Sequence, residues 1–227
     1  IQGPGARDFL ARVLAGHLPA TGRVTLSPML TPKGKLYGDL TIARVDDDHY
    51  LILGSGAAQE MHRRWFERHL PAQGVTYRNA SDALHGVAIA GPRSRELLQR
   101  ITRDDVSADG LKFRDVRRTF AGGVPVFLVR LSFSGELGFE IYCEPQFQLA
   151  LWEHVTAAGA DLGLKPCGAR ALMSLRLEKH WGVWTLDYRP DYTAAESGLD
   201  AFIDWKRDFV RRAPAAAERE RGPSRRL

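Results

Sequence analysis

The chain has 227 residues, 44% hydrophobic and 26% charged, with a formal net charge of +5. That composition can build a core, which excludes a disordered protein, and no apolar run approaches the roughly 20 residues that span a bilayer. From residue 206 onward there are eight Lys/Arg against three Asp/Glu, leaving 24 of each sign elsewhere, so the positive excess sits in a terminal tail and argues against a nucleic-acid surface. The two cysteines, Cys143 and Cys167, form no C-x-x-C pair, which argues against a disulfide framework or a zinc site and suits a reducing cytosol. The opening, IQGPGARDFL, has no initiator Met and starts in mid-pattern, and GPSRRL ends abruptly; the chain reads as a piece of a longer one.

Residues 5–16 place Phe9, Leu10, Val13 and Leu14 at helical spacing before Gly16. VTLSPML and KLYGDLTIARV read as strands around the turn TPKGK, and HYLILG as a third strand after the loop of residues 46–48. Residues 57–70 read as an amphipathic helix. VTYRNA and HGVAIAG are strand-like, and GPRSRELLQRI is a helix opened by Pro92. Residues 113–132 predict a hairpin turning at Gly122–Gly123, followed by the strand GFEIYCE. Residues 145–159 predict a helix with Phe147, Leu151 and Val155 on one stripe, stopped by Gly159, and residues 168–182 predict another ending at Gly182. Beyond Trp205 no apolar face is visible. The fold class is α+β, mostly antiparallel strands with inserted helices. The natural division is one lobe over 1–105, a second over 106–205, and a basic tail over 206–227.

Several chemistries are absent from the pattern. There is no G-x-G-x-x-G, P-loop or G-x-S-x-G. His62 and His69 share a helix at about 10.5 Å of rise, too far apart to chelate one metal, and read as solvated histidines. The carboxylates are more informative. In GFEIYCE, alternation sets Phe139, Ile141 and Cys143 on one face and Glu140 with Tyr142 on the other. A glutamate inside a strand either pairs with a core arginine such as Arg130 or Arg176, or lines a pocket where it can accept two parallel N–H bonds from a flat nitrogen heterocycle. Glu136 falls in the loop between Gly135 and Gly138, where exposure explains it. Asp39 lies in a strand beside Leu40 and Ile42 and, alone, reads as a strand-end residue. Arg170, Arg176 and Glu178 on their helix read as surface ion pairs.

Taken together, SPMLTPKGKLYGDLTIAR, VAIAGPRSRELL, FSGELGFEIYCE, GARALMSLRLEKHWGVW and PDYTAAESGLDAFIDWKRDFVRR occur in an order that resembles the folate-binding aminomethyltransferase family. That family contains the glycine cleavage T-protein and the C-terminal regions of dimethylglycine and sarcosine dehydrogenases. The resemblance implies a two-lobed fold and a tetrahydrofolate site, with no metal, and a family C-terminal barrel that would follow the tail and is missing from this chain. It places the family aspartate on Asp39, as the catalytic carboxylate near the folate nitrogens, and the pterin-binding glutamate on Glu140. Tyr142 and Glu136 accompany Glu140, Arg176 matches the arginine of the family's L-R-L-E helix, and Trp184 falls where a site-lining aromatic is expected. T-proteins carry a Tyr where Leu26 stands; Trp184 in place of a Tyr resembles the dehydrogenase-fused branch. The implied activity is transfer of a one-carbon unit from a small methylated amine or aminomethyl carrier to tetrahydrofolate, and the cysteine usage makes the cytoplasm the expected compartment. FAD would enter only on a separate or fused flavin dehydrogenase, and neither nucleic acid nor membrane is an expected partner. The alternatives are a non-catalytic folate-binding or sensing module and a folate-dependent S- or O-demethylase.

Overall fold

The computed structural model describes residues 1–224, so Arg225, Arg226 and Leu227 of the terminal SRRL stretch lie outside the described residues. The chain divides into two compact units, residues 1–78 with 182–227 and residues 79–181. The break expected near Asp105 is thus displaced. The strand of residues 85–90 pairs with residues 138–143, and this long-range pairing pulls everything from Asn79 onward into the second unit. The return at Gly182 carries the rest of the chain back to the first.

In the first unit, α1 (Ala6–Val13) leads into an antiparallel sheet of β1 (Arg23–Leu30), β2 (Leu36–Asp46) and β3 (His49–Leu53), in the order β1-β2-β3. Phe9, Leu10 and Val13 make the buried stripe of α1, which packs with Met29, Leu40 and Ile42 of the sheet and with Trp65 and Phe66 of α2 (Gln59–His69). The C-terminal end of α1 leaves carbonyls without intrahelical partners. The Arg207 guanidinium takes those of Ala11 and Leu14, and also that of Gly16. VTYRNA does not form a strand: of its residues Thr76 alone pairs, through an isolated bridge to Gln2. The tail is also more ordered than its composition suggests, since residues 212–221 form a helix that buries Ala215. That helix is tied down by Lys35, whose Nζ lies 3.0 Å from Glu218 Oε2.

In the second unit, β4 (His85–Ala90), β5 (Val116–Ala121), β6 (Val124–Val129) and β7 (Gly138–Cys143) form an antiparallel sheet ordered β4-β7-β6-β5. The β5–β6 hairpin turns at Gly122 and Gly123, with φ of 57° and 79°. Two consecutive left-handed residues define a type I′ turn, the geometry that matches strand twist. One face of the sheet buries Ile89, Leu128, Phe139 and Ile141 against α3 (Ser94–Ile101) and α4 (Gln148–Gly159). The helix α5 (Ala169–Glu178) completes the unit.

Candidate functional site

Two groups of side chains carry the candidate chemistry, one in each unit. In the second unit the core-facing residues of β7 leave Glu140 and Tyr142 on the opposite face. Their side chains, two residues apart on one face, meet: the Tyr142 hydroxyl donates to Glu140 Oε2 at 2.7 Å. Across the ladder, Gly86 stands opposite Tyr142 and Ala88 opposite Glu140. Both are exposed. A Cβ at Gly86 would lie 2.9 Å from Tyr142 Cε1, so glycine is what allows the phenol ring to lie across that strand. The result is a half-buried carboxylate beside an open floor of minimal side chains.

Burial raises the Glu140 carboxyl above the ordinary range, while the Tyr142 hydroxyl and then the charge of Lys179 pull it back down. Burial and the neighbouring Glu140 raise the Tyr142 phenol in turn, so it stays a donor. The core-arginine alternative for Glu140 does not occur: among the described residues its one hydrogen bond is from Tyr142 and no arginine forms an ion pair with it. Arg130 instead donates to the carbonyl of Gly138 at 2.9 Å and lies over the ring of Phe139. An ionised carboxylate has about four acceptor positions. With one taken, Glu140 retains capacity for a pair of parallel N–H donors.

Arg176 departs from the surface reading. It is 5% exposed, and its Nη1 donates to the carbonyl of Trp181 at 2.9 Å, tying the segment that follows α5 back onto the helix. Lys179, in that segment, donates from Nζ to the Ser132 carbonyl at 2.6 Å and lies over the Trp181 ring. Glu136 is exposed in its loop.

In the first unit Asp39 sits on β2 opposite Pro28 of β1. The Pro28 carbonyl accepts from Ala15 N, away from β2. By the parity of an antiparallel ladder, Asp39 therefore turns its own N–H toward the β3 side. The β2–β3 pairing begins only at Thr41–Leu53, two residues further along. Burial pushes the Asp39 carboxyl up to about 7, outweighing the opposing pull of its own backbone N–H. Leu26, paired with Thr41, is the diagonal neighbour on the same face, and an aliphatic chain offers the carboxyl no hydrogen bond. Trp184 belongs to this unit as well: it is buried, with its ring 6.1 Å from that of His62. His62 is not the solvated residue its composition suggested. It is 7% exposed and its Nε2 lies 3.1 Å from the Tyr37 carbonyl oxygen. The signal was present in its spacing, since residues 62, 65 and 66 form one apolar stripe of α2.

A further buried carboxylate, absent from the sequence expectations, lies in the first unit. Glu196 is 5% exposed. Its Oε2 accepts from Thr193 N at 2.8 Å while Thr193 Oγ1 accepts from Glu196 N at 3.1 Å, the reciprocal pair of a capping box that T-A-A-E announces. Ser224 Oγ donates to its other oxygen. This group builds structure around the β1–β2 turn. Among the described residues no cluster of three or more His, Cys, Asp or Glu could hold a metal ion, and no helix is long and apolar enough to cross a membrane.

The fold is that of an aminomethyltransferase-type domain. The chain belongs to the GCVT family: the family model of the GCVT N-terminal domain matches residues 1–207. It is 32% identical to the mitochondrial dimethylglycine dehydrogenase of Homo sapiens over 232 residues, which covers 100% of this chain and 27% of that protein. It is 30% identical to the aminomethyltransferase of Caldanaerobacter subterraneus subsp. tengcongensis, covering 100% of this chain and 61% of that one. The chain thus spans about a quarter of the dehydrogenase and about three fifths of the aminomethyltransferase. The glycine cleavage aminomethyltransferase T of Bartonella henselae has the same fold, with a TM-score of 0.83, 21% identity, and coverage of 98% of this chain and 60% of that one.

Proposed function

We propose that this chain is a tetrahydrofolate-dependent one-carbon transferase module, serving a donor derived from a methylated amine. Tetrahydrofolate supplies the nitrogens that take up the carbon. Glu140 grips the pterin: the aminopyrimidinone edge offers adjacent N–H donors, and a carboxylate with free acceptor positions matches them as it would a guanidinium. Tyr142 braces that carboxylate with its hydrogen bond and, with Lys179, offsets part of the upward push of burial. Gly86 and Ala88 leave room for a flat ring beside it.

Asp39 is the carboxylate at the transferred carbon. Ionised, it stabilises positive charge on the one-carbon donor. Poised at about 7, it can also take up or release a proton at working pH, which is what a general acid–base group requires. Arg176 shapes the chain after α5, and Trp184 supplies an aromatic wall in the first unit.

The half-buried Glu140 carboxylate, with one partner and an open floor beside it, carries this reading. The dehydrogenase relative and Trp184 support an amine donor, whose oxidation would fall to a flavin domain elsewhere on the chain or on another protein. Both cysteines are free thiols, as suits a reducing compartment such as the cytosol.

The test is to supply tetrahydrofolate and a flavoenzyme oxidising dimethylglycine, and to identify the folate product. Accumulation of 5,10-methylene-tetrahydrofolate faster than the uncatalysed background supports the transferase. A 5-methyl product from a methylated sulfur or oxygen donor would replace it with the demethylase, and binding without turnover with the sensing module.

A further inference from the structure

The β1–β2 register slips between the pairs Met29–Gly38 and Leu30–Leu36, which leaves Tyr37 as an extra residue on β2. A bulge takes the extra residue out of the ladder and bends the strand, and such features re-aim neighbouring side chains. The Tyr37 carbonyl is met by His62 Nε2 at 3.1 Å. A carbonyl only accepts, so Nε2 carries the proton. The imidazole reaches this position because Gly38 has no side chain: a Cβ there would lie 2.6 Å from Nε2, and one at Gly54 would lie 3.3 Å from Nδ1. The ring is buried against those of Tyr37 and Trp184, at 6.4 and 6.1 Å. Asp39 lies two residues beyond the bonded carbonyl. Among the described residues no side chain hydrogen-bonds or ion-pairs the Asp39 carboxyl, so the backbone that carries it is the restraint left on its direction.

We propose that His62 is the positioning residue for Asp39: by donating its Nε2 proton to the bulged Tyr37 carbonyl, it fixes the stretch of β2 that aims the carboxyl. The catalytic consequence rests on reading Asp39 as the group at the transferred carbon. The geometric consequence does not.

The test compares H62F, which keeps a planar ring but loses the donor, with H62Q, whose amide nitrogen can take the place of Nε2. In the ligand-free protein, the Asp39 carboxyl is titrated by carbon NMR; transfer rate and tetrahydrofolate affinity are measured alongside. The expected result for H62F is an Asp39 midpoint moved by about half a pH unit or more. Its kcat should fall about tenfold, since sub-ångström misplacement is costly, with folate affinity within about twofold of wild type. H62Q restores both. A folded H62F with the wild-type midpoint and rate overturns the proposal, as does a folded H62Q that fails as H62F does. If H62F does not fold, H62Q against H62N decides, because the shorter Asn amide cannot reach the carbonyl. Should the wild-type protein transfer no carbon to tetrahydrofolate, the functional reading fails while the NMR titration still decides the role of His62.

Discussion

Tyr142 donates its hydroxyl hydrogen bond to Glu140 from two residues along the same strand, at 2.7 Å, with its ring laid over Gly86. This contact opposes the effect of burial on the candidate pterin anchor. Burial raises the Glu140 carboxyl, and the phenol is the first influence holding it down. In Y142F the carboxyl rises further, so tetrahydrofolate affinity is lost at a higher pH than in wild type. At neutral pH the direct loss is about 0.5–1.5 kcal/mol, the worth of one hydrogen bond. Affinity measured against pH by fluorescence titration checks this; superimposable profiles for the two proteins would remove Tyr142 from the role.

Asp39 predicts a pH dependence of stability. Its folded value of about 7 lies above the ordinary 3.8, so the folded state holds the proton more tightly than the unfolded one. Its contribution favours folding below about 4 and is lost as pH rises toward 7, with a slope of at most about 1.4 kcal/mol per pH unit. D39N removes that slope in ligand-free denaturation curves. It also leaves tetrahydrofolate binding within about twofold while slowing transfer by about a hundredfold, as for loss of a general acid–base group. Unchanged turnover in D39N would exclude Asp39 as the catalytic group.

Glu196 behaves with the opposite sign. The Ser224 hydroxyl and the Thr193 N–H hold its carboxyl down to about 2, with Lys35 assisting. Its stabilisation is complete above the ordinary 4.5 and is lost as pH falls through about 2. E196A should cost about 1–2 kcal/mol at neutral pH, the range for a lost cap, read as a lower urea midpoint. A loss below about 0.3 kcal/mol would show that the capping box is idle.

Much of this was legible in the chain. Period-2 alternation put Glu140 with Tyr142, the Gly122–Gly123 pair located the hairpin, and the 3–4 spacing of Phe9, Leu10 and Val13 marked the buried face of α1. The failures have physical causes. The unit boundary depends on β4 pairing with β7, some fifty residues away, and local pattern carries no record of such partners. VTYRNA has strand propensity, but propensity yields where no neighbouring strand is available. Arg176 was read by its charge, although a guanidinium that satisfies a backbone carbonyl can be buried. His62 lies inside because its place on the Trp65–Phe66 stripe outweighs its polar side chain, and T-A-A-E at residues 193–196 spells the capping box that holds the buried Glu196.

The most direct measurement is the affinity of tetrahydrofolate for the wild-type protein and for E140Q, by fluorescence titration at neutral pH. Glutamine keeps the shape of the side chain but offers one acceptor oxygen and no charge. Wild-type binding in the micromolar range, weakened in E140Q by about 1.5–3 kcal/mol as expected for a charge-assisted bond, is the predicted result. Equal affinities in two folded proteins would contradict the assignment of Glu140 as the pterin anchor.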